Sequence, residues 1–294
     1  MGADLVFGWR TALLSAAMAQ LLILAAAIAR APVNRAANRI LGGLLVVLAG
    51  VLTPWMIGFA GFYDRWRWLT FAPFSVPLAV GPLVWLYVQA LARGAPPAGA
   101  RRHLALPVAQ FAYLSCCFLL PRPLKDQWAD ASAGFAAALG VASVVSLGAY
   151  GAASLLALKR FRRRLADQRS DDSRYALDWL GRAIAASLIL LPIWTVYVVW
   201  DAVAPLGYIN LMGLYLTIAV FALYIGVEGW RHAGLAFPTL SEIRPQPAPA
   251  RDWRRQGEIW AARVRAEGWA TDPQLSLAVL AAVWGPIPAI CPGR

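Results

Sequence analysis

Long apolar stretches separated by short polar ones run along most of the chain. A helix needs about 20 consecutive apolar residues to cross a hydrocarbon core of about 30 Å. Stretches of about that length lie at residues 9–30, 40–60, 71–92, 104–121, 134–158, 178–200 and 205–229. The pattern predicts an all-α, polytopic membrane bundle of seven helices.

The first apolar stretch could be mistaken for a signal peptide, and the third contains prolines, but both are counted as membrane spans. The first is longer than the apolar region of a secretory signal peptide, about 7 to 15 residues, so we expect it to remain as a membrane span. The third contains Pro73, Pro77 and Pro82. Prolines are tolerated within membrane helices when neighbouring helices satisfy the freed backbone groups.

The basic residues alternate between rich and poor connections along the chain. All but five of the 27 lysines and arginines fall in every second connection or in the carboxy-terminal tail. The exceptions are Arg10, Arg65, Arg67, Arg122 and Lys125. Because basic loops stay in the cytoplasm, this predicts an amino terminus outside and a cytoplasmic carboxy terminus in a bacterial inner membrane.

Composition excludes most soluble functions. The chain is 60% hydrophobic and 14% charged, and its net charge of +12 lies on the predicted cytoplasmic side. That charge suits anionic membrane lipids or a nucleic acid as partner. The chain has three cysteines and two distant histidines, His103 and His232, and no catalytic or nucleotide-binding motif. We therefore expect no enzyme activity, no cofactor and no metal site.

Transport is disfavoured by the polar residues of the apolar stretches. Ion coupling needs ionisable groups near mid-membrane. Arg182, Asp201 and Glu228 lie near predicted helix ends, where they reach the interface. Gln110 and Asn210 are neutral, and we expect them to bond a neighbouring helix.

The last two apolar stretches hold a candidate ligand pocket in the outer half of the bundle. Trp194, Tyr197 and Asp201 are spaced at three and four residues and share a helical face. Tyr208 and Asn210 follow at the start of the next helix. These residues line an outward-opening pocket or form an interfacial aromatic belt, and the spacing leaves both open.

The composition changes after the last apolar stretch. Residues 1–233 form the predicted membrane domain, and residues 234–251 contain four prolines and little apolar periodicity, which is typical of an extended linker. Residues 252–294 then contain two short amphipathic helical patterns. Spacing alone is equally compatible with two helices lying on the membrane surface.

The tail resembles part of a known protein family. "IWAARVRAEGWATDPQLSLAVLAA" resembles the entry to the helix-turn-helix domain of the AraC/XylS-type regulators. The matching positions of its D-P-x-L-x-L turn and first helix are Asp272, Pro273, Leu275, Leu277, Leu280 and Ala281. The membrane part, with "GPLVWLYVQAL" as its most specific stretch, resembles the seven-span module that precedes such domains in some bacterial regulators.

The resemblance implies a membrane-embedded transcriptional regulator that senses an envelope or lipid-soluble signal, binds DNA and pairs as a homodimer. The chain departs from the family after Ala282, where Pro286 and Pro288 are incompatible with a continuous recognition helix. We therefore expect a helix-turn-helix domain truncated near Ala282, with DNA binding lost. A membrane sensor or scaffold without DNA binding, a small transporter and a non-functional fragment remain as alternatives.

Overall fold

The computed structural model describes residues 5–166, 178–204 and 207–235, with six further positions between 258 and 268. Over these residues the protein is helical and has no strand. Its helices are α1 Trp9–Ala29, α2 Arg35–Phe59, α3 Phe62–Arg65, α4 Val80–Arg93, α5 Ala100–His103, α6 Ala105–Phe118, α7 Arg122–Ala131, α8 Ala133–Ala166, α9 Asp178–Val203 and α10 Gly207–His232. Short 3₁₀ turns cover Arg67–Leu69 and Pro77–Ala79.

The chain divides into two compact units. One comprises residues 1–167 with 171–243, and the other comprises 168–170 with 244–294. The predicted linker from residue 236 onward and all six residues of the helix-turn-helix entry, from Asp272 to Ala281, lie outside the described residues. The division of the tail into a linker and a helix-turn-helix fragment therefore stays a prediction.

Five of the described helices are long and apolar enough to cross a membrane. The segments are Trp9–Ala29, Arg35–Phe59, Gly134–Arg163, Asp178–Tyr197 and Ile209–His232. Large apolar side chains are exposed in the middle of these helices, including Ile23, Val145 and Val220. Such outward apolar faces suit lipid rather than water. The predicted all-α class is confirmed for the described residues, with five helices that are candidate membrane spans.

The third and fourth apolar stretches form shorter helices than predicted. Residues 71–76 are not helical, because Phe71 has a φ of 63° and Pro73 follows it. Helix starts only at Pro77, and Pro82 is accommodated in the first turn of α4, where an amide has no partner within the helix. The fourth stretch is the 14-residue helix α6, about 21 Å long at 1.5 Å per residue.

Helix α8 is longer than its apolar stretch. The fifth apolar stretch ends at residue 158, where a basic connection was predicted to begin, but α8 continues to Ala166. Leu158 and Phe161 are both 2% exposed and extend the buried stripe of the helix at a spacing of three. Lysine and arginine are also good helix formers, so the basic run favours continuation.

Helix α7 was missed by the hydrophobic pattern because it is short and polar. Its Lys125 is only 4% exposed. The Nζ atom donates hydrogen bonds to the carbonyl oxygens of Phe118, at 2.7 Å, and of Trp68, at 3.1 Å. This buried lysine therefore satisfies a carbonyl at the carboxyl end of α6, as a cation at that position should.

Contacts at small residues fix the directions of neighbouring helices. Gly81 of α4 lies against Ser146 of α8, and Trp85 lies against Tyr150 with ring centroids 6.2 Å apart. Because residue numbers increase along both helices from the first contact to the second, α4 and α8 run parallel. Small residues let helix backbones approach closely within a membrane.

Helix α10 packs on the first two helices in the same way. Gly226 lies against Leu24 of α1, and Gly229 lies against Ile28 of α1 and Leu41 of α2. Trp55 of α2 stacks on Tyr215 with centroids 4.0 Å apart. Helix α10 therefore runs parallel to α1 and antiparallel to α2.

Helix α9 runs antiparallel to both α8 and α10. Gly151 of α8 contacts Leu188, and Arg162 pairs with Asp178. Trp179 stacks on His232 of α10. As a result, the carboxyl ends of α1, α4, α8 and α10 lie at one end of the bundle with the amino ends of α2 and α9.

Replacing Gly81 by alanine should destabilise the bundle. A Cβ atom there would lie 2.9 Å from the carbonyl oxygen of Ser146 and 3.2 Å from the Cα atom of Leu147. Because both are backbone atoms, α4 and α8 would have to separate. We expect the Tm in detergent to fall by about 5 °C. Gly43→Ala is the matched control, because nothing lies within 4 Å of its Cβ position, and an equal fall in both would contradict this packing.

Candidate functional site

An apolar cavity of about 70 Å³ lies inside the bundle. Its walls come from α2, α4, α8, α9 and α10 and include Leu44, Val84, Ile184 and Ile218. An apolar cavity stays dry and accepts small apolar molecules. This volume is room for a short hydrocarbon group rather than a whole lipid.

The two aliphatic hydroxyl groups of the cavity wall are already hydrogen-bonded within their own helices. The Ser187 hydroxyl donates to the carbonyl oxygen of Ile184 at 2.7 Å, and the Thr217 hydroxyl donates to Gly213 at 2.8 Å. Among the described residues, no Asp, Glu, Lys, Arg or His lines the cavity. The site therefore selects for apolar shape and offers no charge to an ion.

Two wall residues of the cavity, one on α9 and one on α10, are also exposed on the surface of the bundle. Ile193 lines it and is 46% exposed, and Thr217 lines it and is also exposed. Pro192 precedes Ile193 inside α9 and cannot donate a bond to the carbonyl of Leu188. This is therefore the candidate entry point for a molecule dissolved in lipid.

The residues of the sequence-predicted pocket are only partly described. Trp194 lines the apolar cavity, and Tyr197 packs on the core beside Gly213 of α10. Asp201 and Tyr208 belong to α9 and α10, but their side chains lie outside what the structure describes. That leaves Trp194 as the member placed at the cavity.

Asn210, the fifth member of that predicted pocket, is exposed in the first turn of α10. It is not among the residues that line the cavity. The pocket formed by all five residues stays a prediction.

Sequence reasoning missed most of the cavity wall. Ala183, Ile184 and Ile218 look in sequence like any lipid-facing residue, because both faces of a membrane helix are apolar. The only local signal is the proline inside the sixth apolar stretch, Pro192, which is followed directly by the two wall residues Ile193 and Trp194.

A polar cluster at the start of α2 holds the carboxyl end of α10. Asn38 is 2% exposed, and its Nδ2 donates to the carbonyl oxygens of Val33 at 2.8 Å and Ala233 at 3.0 Å. The Asn34 Nδ2 donates to Leu235 at 2.6 Å. Carbonyls at a helix end have no partner within the helix. Two amides from the start of α2 therefore hold the segment that leads towards the tail.

The histidines and cysteines form no site among the described residues. His103 Nδ1 lies 2.9 Å from the Tyr150 hydroxyl, and His232 stacks on Trp179. Cys116 and Cys117 are free thiols. No group of three or more potential metal ligands occurs in the described part of the chain. The Gln110 Oε1 accepts a hydrogen bond from the backbone amide of Leu78 at 3.3 Å. This agrees with the expectation that Gln110 bonds a neighbouring segment.

The chain matches no known protein family, curated protein or solved structure. The family expected from the sequence has no support from these comparisons. The cavity and the end of α10 are therefore the observations on which a functional proposal rests.

Proposed function

We propose that the chain is a seven-pass sensor of the bacterial inner membrane, with α4 and α6 as its third and fourth spans. The parallel packing of α4 on α8 supports this, because α4 then lies among long apolar helices. Helix α6 starts after His103, which contacts Tyr150 of α8, and ends at Phe118, which contacts Trp68 beyond α2. It thus runs from the middle of α8 towards the end of the bundle where α2 ends.

The distribution of charge supports an amino terminus outside. The end of the bundle where α8 ends and α9 begins carries Arg30, Arg35, Arg93, Lys159, Arg160, Arg162, Arg163, Arg182 and Arg231 at or near helix ends. The opposite end carries Arg10, Arg65, Arg67, Arg122 and the buried Lys125. The richer end belongs in the cytoplasm.

The apolar cavity carries the sensory part of the proposal. It is enclosed by five helices, has no charged wall residue among those described, and includes the surface-exposed Ile193 in its wall. These features favour a small lipid-soluble ligand over an ion or a polar solute. Such a ligand signals only if it binds two arrangements of the bundle with different affinity.

Helix α10 is the route from the cavity to the tail. Leu214 and Ile225 of α10 line the cavity, and Ala233 at its end is held by Asn38. A ligand that moves α10 would therefore act on the segment leading to residues 244–294. The resemblance of this tail to the AraC/XylS-type entry makes transcriptional regulation the proposed ancestral output.

The transcriptional part of the proposal is tested by footprinting. A polypeptide of these 294 residues should give no sequence-specific protection on the promoter region of its own gene. The reason is that Pro286 and Pro288 stand where the family places its recognition helix, and each lacks an amide hydrogen. A clear footprint would overturn the loss of DNA binding and leave the regulator intact.

A membrane sensor that signals through a protein partner is the second candidate, and the apolar cavity favours it equally. A transporter is less well supported. Coupled transport needs ionisable groups at depth, and the described cavity wall contains none.

A further inference from the structure

A groove runs between α8 and α9 where α8 leaves the predicted bilayer. Its volume is about 340 Å³. One half is apolar and is lined by Leu155, Leu158 and Ala185, while the other half is charged and includes Lys159 and Arg182. Both helices are candidate membrane spans. The groove therefore joins an apolar surface to a basic one at a membrane boundary.

The charges of the groove do not cancel. Asp178 is paired with Arg162, with 3.1 Å between Oδ1 and Nη2. Lys159 and Arg182 are exposed, and neither forms a hydrogen bond or ion pair with another described residue. The groove thus presents two cations from adjacent helices beyond the one internal pair.

Gly181 shapes the wall of the groove. A Cβ atom at this position would lie 2.7 Å from Nη2 of Arg162. The absence of a side chain lets the guanidinium of Arg162 lie across α9 beside Asp178. Arg162 is thereby held in place, and Lys159 and Arg182 remain at the rim.

We propose that this groove binds one anionic phospholipid. Its phosphate lies between Lys159 and Arg182, and an acyl chain follows Leu155 and Ala185 along the two helices. Basic pockets between membrane helices on the cytoplasmic side recognise lipid head groups in this way. A soluble anion would use only the charged half, whereas a phospholipid also covers the apolar half.

Native mass spectrometry tests this proposal. The full chain is reconstituted in phosphatidylcholine discs containing phosphatidylglycerol, released, and its bound lipids are counted. We expect Lys159→Gln with Arg182→Gln to lower the affinity for phosphatidylglycerol, and with it the retained lipid, by about 30-fold, because each of the two basic residues near anionic lipid contributes about 1 kcal/mol and 1.4 kcal/mol is a factor of ten. Retained phosphatidylcholine should not change.

Two further variants make the result specific. Ala185→Trp fills the apolar half without changing charge and should also displace phosphatidylglycerol. Arg101→Gln with Arg102→Gln removes two exposed charges outside the groove and should not. Equal losses in the groove and control variants would show diffuse attraction and overturn the site. Full retention of phosphatidylglycerol by an Ala185→Trp variant with a native Tm would also overturn the site.

Discussion

Substituting leucine for Ala183 should reduce photolabelling of Trp194 by a short alkyl diazirine at least about tenfold, the loss expected when 1.4 kcal/mol of binding disappears. Ala183 is 1% exposed and lines the cavity beside α10. Leucine adds three carbon atoms to a space of about 70 Å³. The labelled residue is identified by peptide mass spectrometry after photolysis in membranes.

Filling the cavity should leave the bundle folded. Leucine is a good helix former and supplies contacts that the cavity lacks, so the Tm should stay equal or rise. Ala142→Leu is the matched control, because Ala142 is exposed on α8 and does not line the cavity. Unchanged labelling of Trp194 in Ala183→Leu would mean that the diazirine reaches it from the lipid and not through the cavity.

Replacing Asn38 by leucine should release the carboxyl end of α10. Two hydrogen bonds, to Val33 and Ala233, would be lost from a side chain that is 2% exposed. Leaving buried carbonyls unsatisfied costs about 1 to 3 kcal/mol each. We expect a lower Tm and faster hydrogen exchange at the amides of the last turn of α10.

An amide on the lipid-facing surface provides the control for Asn38. Gln20 is exposed in the middle of α1, so Gln20→Leu removes an amide without removing an internal bond seen in the structure. Its Tm should not fall. Protection of the last turn of α10 that survives Asn38→Leu would show that the two asparagines do not hold this helix.

Hydrophobic length predicted the long helices well because a membrane imposes one strong rule. The bounds of α1, α9 and α10 differ from the predicted stretches by only a few residues. The rule fails at two places where backbone conformation or side-chain burial decides where the helix ends. At residues 71–76 the left-handed φ of Phe71 and a following proline end the helical pattern, and at residues 159–166 a basic segment stays helical because Phe161 is buried.

The functional residues were harder to predict for a different reason. The wall of the cavity is apolar, as is the lipid-facing surface, so sequence alone does not separate Ala183 from Ala142. Lys125 and Asn38 were also missed, since their burial depends on carbonyl groups at the ends of other helices. Trp194 was found because it shares a helical face with Tyr197 and Asp201 in the sixth apolar stretch, although the cavity that it lines is apolar.

In the proposed seven-pass bundle, α4 and α6 cross the membrane together with the five longest helices. The connection between α4 and α5 decides this, because it is cytoplasmic with seven spans and external if only the five longest helices cross. Ala98→Cys places a thiol there at an exposed position. Cys116, Cys117 and Cys291 are first replaced by serine, so that only the introduced thiol reacts.

Labelling with a membrane-impermeant maleimide on intact and permeabilised spheroplasts gives the answer. Gln127→Cys, at an exposed position on α7, is external in both arrangements and should be labelled in intact cells. We predict that Ala98→Cys is protected in intact spheroplasts and labelled only after permeabilisation. Equal labelling of the two positions in intact spheroplasts would contradict the seven-pass bundle and place α4 outside the membrane core.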